Sequence, residues 1–510
     1  MPNRPRILIV TPEITYLPDG MGNATNHMRA KAGGLADVSA SLVSALFELG
    51  ADVHVALPHY RRMFNIDVGR LINEELRIYK RVLPDSRIHL AEDRIFYYQS
   101  EVYSSSSDTS RKLALVFQRE VINNIIPKVN PDLIHCNDWM TGLIPAMARR
   151  HGIPSLMTIH NIHTQEVGLD QVEDTGIDAA EFWQDLFYKW YAGDYETTRW
   201  SNPVDLLASG IFASHFVNTV SPTFLYEVCD GQHAFVPPSV RSEMAQKMMS
   251  GCASGILNAP DPSFDPATDE LIHCPFDPDT HVEGKRKNKV RLQERLGLAQ
   301  NPDAPMYFWP SRLDPVQKGC QLVAEILASL VSHYGDENLQ VVFVATGPYQ
   351  IWFRGIVNEH GFHDRVAVYN FDEETSHLAY AASDFMLMPS RFEPCGLPQM
   401  VSAIYGSLPI AHDTGGLHDT VNMLDTAQGT GNGFLFETYD GNGLWWAIER
   451  AMNFYRLPTD VKEAQISRVM RESAERFTHA NTAREYIDIY ERMLERPLVD
   501  HKPGFVAGTV

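Results

Sequence analysis

Residues 384–404 read DFMLMPSRFEPCGLPQMVSAI, and their apolar pattern changes on either side of Gly396. The continuous apolar run before Pro389 is typical of a buried strand. After the glycine, Leu397, Met400, Val401 and Ile404 recur at the spacing of one helix face. The sequence therefore predicts a strand, a loop and a helix. Because a helix N-terminus carries free N–H groups and positive partial charge, this point is a natural anion site, with Glu393 about one turn away.

The same alternation of strand and helix runs through most of the chain. Strands alternating with helices predict βαβ units and parallel sheets. A proline- and aspartate-rich stretch, residues 259–270, separates two such series. The fold class is therefore α/β, with two doubly wound halves and a cleft between them. The predicted strands include RILIVTPEI (6–14), DVHVALP (52–58), PDLIHCND (131–138), PSLMTIHN (154–161), MYFWPSRL (306–313), LQVVFVATG (339–347) and RVAVYNF (365–371). The serine-rich residues 104–111 are expected to form a mobile loop.

Composition narrows the class of protein. The chain has 510 residues and a formal net charge of −21, which argues against nucleic acid or an anionic membrane as a partner. No targeting or membrane-spanning segment is visible in the sequence. The six cysteines are scattered without a C-x-x-C pair, which is typical of a reduced, cytoplasmic chain.

Three groups of residues follow predicted strands, where open α/β sheets bind their ligands. The first is Lys31–Leu35, whose glycines allow close backbone approach, although for this group alone a tight structural turn is the favoured interpretation. The second joins Arg312 with Lys318, two cations that could grip a diphosphate or could be ordinary surface charge. The third joins Glu393 with Thr414–Leu417.

Metal-binding patterns are weak. Asp277 and Asp279 match a D-x-D motif, but no predicted strand precedes them. His160 and His163 have no adjacent acidic partner and no helix that would place both rings on one face. A polar His160 in the cleft is the better interpretation, and no metal is expected.

Eight segments follow one another along the chain: KAGGLADV, HCNDWMTGLIP, TIHN, VSPT, SRL with QKG, SRFEPCGLPQ, TGGLHDTV and FTHANTAREYIDIY. Taken together, they resemble the bacterial glycogen synthases and plant starch synthases of glycosyltransferase family five. The resemblance spans residues 6–491 and implies the GT-B fold, in which two Rossmann-like domains face a cleft. Domains are expected at 1–257 and 258–481, with residues 482–510 forming a C-terminal helix that crosses back to the N-terminal domain, and a tail.

The resemblance implies transfer of glucose from ADP-glucose to the non-reducing end of an α-1,4-glucan, with retention of configuration and without cofactor or metal. Its partners are thus a nucleotide sugar and an α-glucan; the oligomeric state stays open. The implied catalytic residues are His160, Arg312, Lys318 and Glu393, with Asp138 on the acceptor. The implied donor-binding residues are Lys31, Gly33, Gly34, Asn258, Phe371, Cys395, Gly396, Leu397, Thr414 and Gly415. No carboxylate pair suits double displacement, so front-face attack near His160 is expected.

The chain departs from the family pattern around the donor phosphates. Pro398 stands where the family usually has Thr or Ser, which removes one hydroxyl and one N–H. Three family motifs are also altered. L-N-G-V-D appears as LNAPD at residues 257–261, G-x-G-[DE] appears as ATGP at residues 345–348, and R-R-T-G-G appears as HDTGG at residues 412–416. Phe371 keeps an aromatic ring for the nucleobase. Two alternatives therefore stay open: a relative that uses UDP-glucose or makes another α-glucoside, and a silent paralogue that only binds glucan or nucleotide.

Overall fold

A computed structural model describes residues 4–18, 20–21, 29–32, 34–64, 87–104 and 106–499. Within them the chain divides into two compact units. Unit 1 contains the described residues up to Val220, then Leu225–Ile256 and the segment from His479 onward. Unit 2 contains Ser221–Phe224 and Leu257–Thr478.

Unit 1 is built on a parallel sheet. Its strands are β1 (Arg6–Val10), β2 (Asp52–Pro58), β3 (Ile88–Ala91), β4 (Leu133–Asn137), β5 (Ser155–Ile159), β8 (Phe216–Thr219) and β9 (Ala253–Gly255). They lie in the order β3-β2-β1-β4-β5-β8-β9, and each neighbouring pair is parallel. A separate antiparallel pair consists of β6 (Glu166–Val167) and β7 (Val204–Asp205).

Helices connect these strands. They are α1 (Gly34–Glu48), α2 (Arg94–Tyr97), α3 (Ser107–Glu120), α4 (Ile126–Val129), α5 (Ile144–Arg150), α6 (Leu169–Asp174), α7 (Tyr195–Ser201), α8 (Leu206–Ala213), α9 (Pro222–Asp230) and α10 (Pro238–Met249). A π-helical turn, Val121–Ile125, joins α3 to α4, and 3₁₀ turns lie at Trp139–Thr141, Ala179–Glu181 and Trp183–Asp185.

The prediction of a mobile loop at residues 104–111 is wrong. Ser106 caps α3 by accepting a hydrogen bond from the Thr109 N–H, and the helix begins at Ser107. Serine composition suggested disorder, but a serine is also a preferred N-cap, and the apolar face that follows, from Leu113 to Phe117, is buried in unit 1.

Unit 2 repeats the plan. Its strands are β10 (Met306–Trp309), β11 (Gln340–Val344), β12 (Val366–Tyr369), β13 (Phe385–Met388), β14 (Leu408–His412) and β15 (Phe434–Phe436). They form a parallel sheet in the order β12-β11-β10-β13-β14-β15. The helices are α11 (His281–Leu296), α12 (Cys320–His333), α13 (Gln350–His360), α14 (Glu373–Ala382), α15 (Pro398–Ile404), α16 (Gly415–Thr420), α17 (Gly441–Tyr455) and α18 (Thr459–Arg476).

The continuous apolar runs at β10 and β13 have a physical cause. Every residue of both strands is buried, because helices cover both faces of a doubly wound sheet. One hydrophobic cluster lies on each face of this sheet: Tyr307 and Trp309 belong to one, and Met306 and Phe308 to the other.

The last helix, α19 (His479–Leu494), belongs to unit 1 rather than unit 2. Tyr490 and Tyr486 are buried there. The Tyr490 hydroxyl lies 2.7 Å from Nδ1 of His135 on β4, and the Tyr486 hydroxyl accepts a 3.0 Å hydrogen bond from Asn218 on β8. The predicted fold class, with two doubly wound α/β domains and a C-terminal helix returning to the first, is confirmed. No helix among the described residues is long and apolar enough to cross a membrane.

Candidate active site

The strand orders locate a ligand site in each unit. In both sheets the order reverses beside the first strand, between β1 and β4 in unit 1 and between β10 and β13 in unit 2. Ligands of open α/β sheets bind outside the carboxyl ends of the strands at such a point. In unit 1 these ends lead to Glu13 and Asp138; in unit 2 they lead to Arg312 and Glu393.

Lys318 and Glu393 form a largely buried ion pair in unit 2. Lys318 Nζ lies 2.6 Å from Glu393 Oε2, and the same oxygen accepts a 3.1 Å hydrogen bond from the Ser390 hydroxyl. A Cβ at Gly319 would lie 1.8 Å from the Pro389 carbonyl oxygen, so only glycine lets this loop pack on the end of β13. The lysine and glutamate predicted separately therefore act as one rigid group.

Arg312 differs from Lys318 in its surroundings. It is exposed, and among the described residues its guanidinium makes no ion pair. The neighbouring backbone is fixed, since the Leu313 N–H donates to the Thr346 carbonyl at 3.0 Å. A cation without a carboxylate partner on a fixed loop is available to an anionic ligand.

The backbone around Glu393 is closely packed against the start of α16. The Gly416 N–H donates to the Glu393 carbonyl at 2.9 Å, and a Cβ at Gly416 would lie 2.0 Å from the Cys395 carbonyl oxygen. Gly396 and Gly415 both have positive φ, 72° and 46°. The predicted donor residues Gly396, Leu397, Thr414 and Gly415 thus belong to two loops in contact. The helix α15 begins at Pro398, and Leu397 is its N-cap.

Three further predicted donor residues lie in unit 2 with distinct environments. Asn258 is buried, and its Oδ1 has no hydrogen-bond partner among the described residues. Burial raises the pKa of the Cys395 thiol to about 12, so this cysteine is not a nucleophile at neutral pH. Phe371, just beyond β12, is 60% exposed, which leaves its ring open for stacking.

Asp138 follows β4 in unit 1 with a positive φ of 55°. Such a backbone conformation is strained for a residue with a side chain, and strain of this kind clusters at functional sites. Its carboxylate accepts hydrogen bonds from the N–H groups of His160, at 2.8 Å, and Asn161, at 3.4 Å. Burial nevertheless raises the pKa of Asp138 to about 7, with a smaller contribution from the Glu13 charge.

His160 is neutral at physiological pH. Desolvation of its ring lowers the pKa of His160 to about 3. Its Nε2 lies 2.9 Å from Oδ1 of Asn137, whose own Nδ2 donates to the Val10 carbonyl at 3.1 Å. Because that second bond fixes which way the amide faces, His160 carries its proton on Nε2 and keeps Nδ1 as an acceptor.

Lys31 and the start of α1 form the remaining predicted part of unit 1. Lys31 Nζ pairs with Asp37 Oδ2 at 2.7 Å, and the lysine side chain is 44% exposed. The helix begins at Gly34, whose predicted neighbour Gly33 lies outside the described residues.

Glu13 was missed by the sequence reasoning. This carboxylate, only 2% exposed, follows β1 and accepts hydrogen bonds from the Ala32 N–H at 2.6 Å and the Tyr103 hydroxyl at 3.1 Å. It thereby holds the segment that precedes α1. The available signal was an acidic residue directly after the buried strand in RILIVTPEI.

The weak metal patterns have other roles. The Asp277 carboxylate accepts hydrogen bonds from the N–H groups of Asp279 and Thr280, each at 2.9 Å, just before α11. Asp279 is paired with Arg471, and the His163 ring contacts Trp139. No group of three or more His, Cys, Asp and Glu side chains in the described part of the chain could hold a metal ion.

Comparison with protein families and curated proteins gives three findings. Residues 6–236 match the family model of the starch synthase catalytic domain. Residues 291–468 match the model of group 1 glycosyl transferases. The chain is 31% identical over 500 residues to a glycogen synthase of Streptococcus pneumoniae, covering 91% of this chain and 97% of that protein.

Solved structures give matching results for the fold. The catalytic domain of starch synthase IV from Arabidopsis thaliana, bound to ADP and acarbose, superposes with a TM-score of 0.75. It is 26% identical in sequence, and the match covers 97% of this chain and all of that one. Sucrose-phosphate synthase from Thermosynechococcus elongatus, at 17% identity and a TM-score of 0.57 over 96% of this chain and all of its own, shares the fold alone.

Proposed function

The chain belongs to the glycogen synthase family, and from this premise we propose that it elongates an α-1,4-glucan by transferring glucose from ADP-glucose with retention of configuration. The match to glycogen synthase over nearly the whole chain supports the reaction, and the starch synthase structure bound to ADP supports the adenine donor. One observation in the site carries the proposal furthest. A cation without an ion-pair partner among the described residues, Arg312, accompanies the Lys318–Glu393 pair at the switch point of unit 2.

These three residues have complementary roles in the proposal. Arg312 and Lys318 neutralise the diphosphate as it leaves, which is where negative charge grows in the transition state. Glu393, held by Lys318 and Ser390, accepts hydrogen bonds from hydroxyls of the transferred glucose. The glycine-rich loops around Gly396 and Gly415 bring backbone groups close to the donor, and Phe371 stacks on the base.

Unit 1 serves the acceptor in this proposal. Asp138 receives a hydroxyl of the glucan, and its raised pKa lets the carboxyl group either accept or donate near neutral pH. His160, neutral and with Nδ1 as an acceptor, orients a sugar hydroxyl rather than transferring a proton. Front-face attack needs no enzyme nucleophile, which is consistent with the raised pKa of Cys395.

We propose further that the reaction needs no metal, because the two cations supply the charge that Mg²⁺ supplies in other phosphate-transfer sites. A cytoplasmic location is also proposed, supported by six free cysteines. Nucleic acid and membranes are not expected as partners.

A transfer assay tests the proposed function. Radiolabelled ADP-glucose and UDP-glucose are each offered with glycogen and with maltotriose, in the presence and absence of EDTA. The proposal expects label in the polymer from ADP-glucose, an unchanged initial rate in EDTA, and products that β-amylase degrades. Faster transfer from UDP-glucose would favour the alternative donor. No transfer by a folded, ADP-binding protein would favour a silent paralogue.

A further inference from the structure

The end of β14 departs from the family pattern, and the residue that ends it reaches the loop of Glu393. Where the resemblance implies two arginines, this chain has His412 and Asp413. The His412 ring is 9% exposed, and its Nδ1–H donates to the Ser390 carbonyl at 2.8 Å. A carbonyl oxygen only accepts, so this ring carries a proton on Nδ1. The chain thus has a buried hydrogen-bond donor against the loop that contains Glu393.

The carbonyl that His412 binds lies beyond the hydrogen bonds of the sheet. The strand β13 ends at Met388, and its pairing with β10 and β14 stops before Ser390. Ser390 is only 1% exposed, and a buried carbonyl that loses its donor is destabilising. The His412 side chain therefore fixes the backbone at this residue, as the neighbouring strands fix it within β13.

Ser390 in turn constrains the carboxylate of Glu393. Its hydroxyl donates to Glu393 Oε2 at 3.1 Å, and Lys318 Nζ lies 2.6 Å from the same oxygen. Glu393 Oε1 makes no hydrogen bond within the part of the chain that the structure describes. Oε1 is therefore the atom left to accept a hydrogen bond from a sugar hydroxyl. Its direction depends on where Ser390 and Lys318 hold Oε2.

A ring contact links His412 to the lysine of the same ion pair. The His412 ring centre lies 4.9 Å from that of Tyr439, whose hydroxyl accepts a 3.1 Å hydrogen bond from Gln321 Nε2. A Cβ at Gly319 would lie 3.1 Å from the same hydroxyl. Gly319 follows Lys318 directly in the chain. His412 is therefore connected to both partners of the pair, to one through Ser390 and to the other through Tyr439.

We propose that His412 is a positioning residue, which sets the direction of Glu393 through Ser390 and so determines how strictly the enzyme recognises the hydroxyls of the donor sugar. This inference rests on the proposed function, in which Glu393 contacts the transferred glucose. A site built to hydrogen-bond a substrate hydroxyl rejects the analogue that lacks it, and a displaced acceptor loses this advantage. Loss of the bond from His412 to Ser390 should therefore weaken discrimination between sugars and leave binding of the nucleotide unchanged.

The variants His412→Phe and His412→Asn test this proposal in the full-length protein. His412→Phe keeps a ring against Tyr439 and removes the donor, whereas His412→Asn places an amide N–H where the ring has Nδ1–H. Transfer to glycogen is measured with ADP-glucose and with analogues that each lack one hydroxyl of the hexose. The analogue whose missing hydroxyl Glu393 binds is identified as the one that Glu393→Gln no longer rejects.

The two variants should differ in their discrimination between ADP-glucose and that analogue. For His412→Phe we expect about a tenfold fall in kcat/KM for ADP-glucose, because the acceptor is displaced. The same variant should show no fall for the analogue and an unchanged Kd for ADP. His412→Asn should keep the ratio of the two kcat/KM values within about threefold of the wild type, because the hydrogen bond is restored.

His377→Phe is the matched control for a purely structural effect. His377 is also a buried histidine of unit 2, and its Nδ1 lies 2.8 Å from Asp269 Oδ2. It lies on α14 and is not part of the contacts around Glu393. This variant should lower the melting temperature and leave the ratio of the two kcat/KM values unchanged.

Three results would overturn the proposal. The first is an unchanged ratio in His412→Phe, which would limit His412 to packing even if the melting temperature falls. The second is an equal loss of discrimination in His412→Phe and His412→Asn. The third applies if the wild type transfers no glucose, which would reject the proposed function. The discrimination is then taken from calorimetric Kd values for ADP-glucose and the analogues. An effect of His412→Phe on these values would leave the positioning role standing, and the absence of any effect would reject it.

Discussion

Arg312 and Lys318 carry the same charge, but their surroundings give the two residues different tasks. Arg312 is exposed and makes no ion pair among the described residues, whereas Lys318 is largely buried against Glu393. At the scale of single residues, Lys318 holds Glu393 in position, whereas Arg312 is the cation that the proposed mechanism assigns to the donor diphosphate alone.

Substitutions at these two positions should therefore separate catalysis from stability. Arg312→Ala should lower kcat about 100-fold with an unchanged melting temperature, because only a transition-state charge contact is lost. Lys318→Ala should lower kcat similarly and also lower the free energy of unfolding by about 3 kcal/mol, because Glu393 stays buried without its partner. Kinetics and urea unfolding measure both. Equal losses of stability in the two variants would contradict the conclusion that only Lys318 stabilises the fold. The double variant K318A/E393A should recover part of the stability that Lys318→Ala loses.

Glu13 is expected to act on the site through the segment before α1. Glu13→Ala removes the acceptor of the Ala32 N–H, so we expect about a tenfold loss in kcat/KM, while Glu13→Gln keeps one acceptor oxygen and should lose less. Since the Glu13 charge contributes to the raised pKa of Asp138, both variants should also lower that pKa. A carboxyl ¹³C titration of Asp138 measures this second effect, and an unshifted midpoint would limit Glu13 to a packing role.

Asp138 makes stability depend on pH in a direction opposite to that of an ion-paired carboxylate. Its folded pKa of about 7 exceeds the unfolded value near 4, so the folded state binds the extra proton between these pH values. The stabilisation is complete below about pH 4 and is lost as pH rises through about 7. Relative to Asp138→Asn, which does not titrate, the wild type should lose about 4 kcal/mol across this window. If the free energies of unfolding of the wild type and of Asp138→Asn differed by the same amount at every pH, the shift in the pKa of Asp138 would be refuted.

At the scale of elements, the sequence predicts the helices and strands whose positions follow from the pattern of apolar residues. β10 and β13 are read from continuous apolar runs because both sheet faces are covered, and the polar residues that follow them define the strand ends. Long-range contacts are not encoded in such patterns. The pairing of Lys318 with Glu393, the bond from Ala32 to Glu13 and the raised pKa of Asp138 depend on which loops meet in three dimensions. Local composition also misassigned the start of α3, because Ser106 reads equally as loop or cap.

The first turn of α15 contains Pro398, where the family resemblance implies a threonine or a serine. Pro398 stands at the start of the helix, where it offers neither an N–H nor a hydroxyl to a phosphate. Pro398→Thr should tighten ADP binding about fivefold, because both groups are restored at a helix N-terminus. Pro398→Ala restores the N–H alone and should show a smaller gain, which makes it the matched control. Calorimetric titration with ADP measures the dissociation constants; equal affinities in all three proteins would mean that no phosphate oxygen meets this turn.

At the scale of the whole molecule, the chain leaves unit 1 after Ile256 and returns to it at His479, so unit 1 is completed only by the end of the described chain. The helix α19 brings buried Tyr486, Ile487, Ile489 and Tyr490 to this unit. Each fully buried side chain of this size contributes about 2 kcal/mol, and the four together approach the total stability of about 5–15 kcal/mol of an ordinary domain.

A chain ending at Thr478 should therefore lose the cooperative unfolding of unit 1 while unit 2 still melts as a unit. We expect two observations in calorimetry and limited proteolysis: only one transition remains, and cleavage concentrates in residues before 257. Tyr490→Phe is the conservative control. It keeps the packing and removes only the hydroxyl that meets His135, so it should cost about 1–2 kcal/mol and preserve both transitions. An intact unit 1 transition in the truncated chain would show that the first sheet is stable without its returning helix.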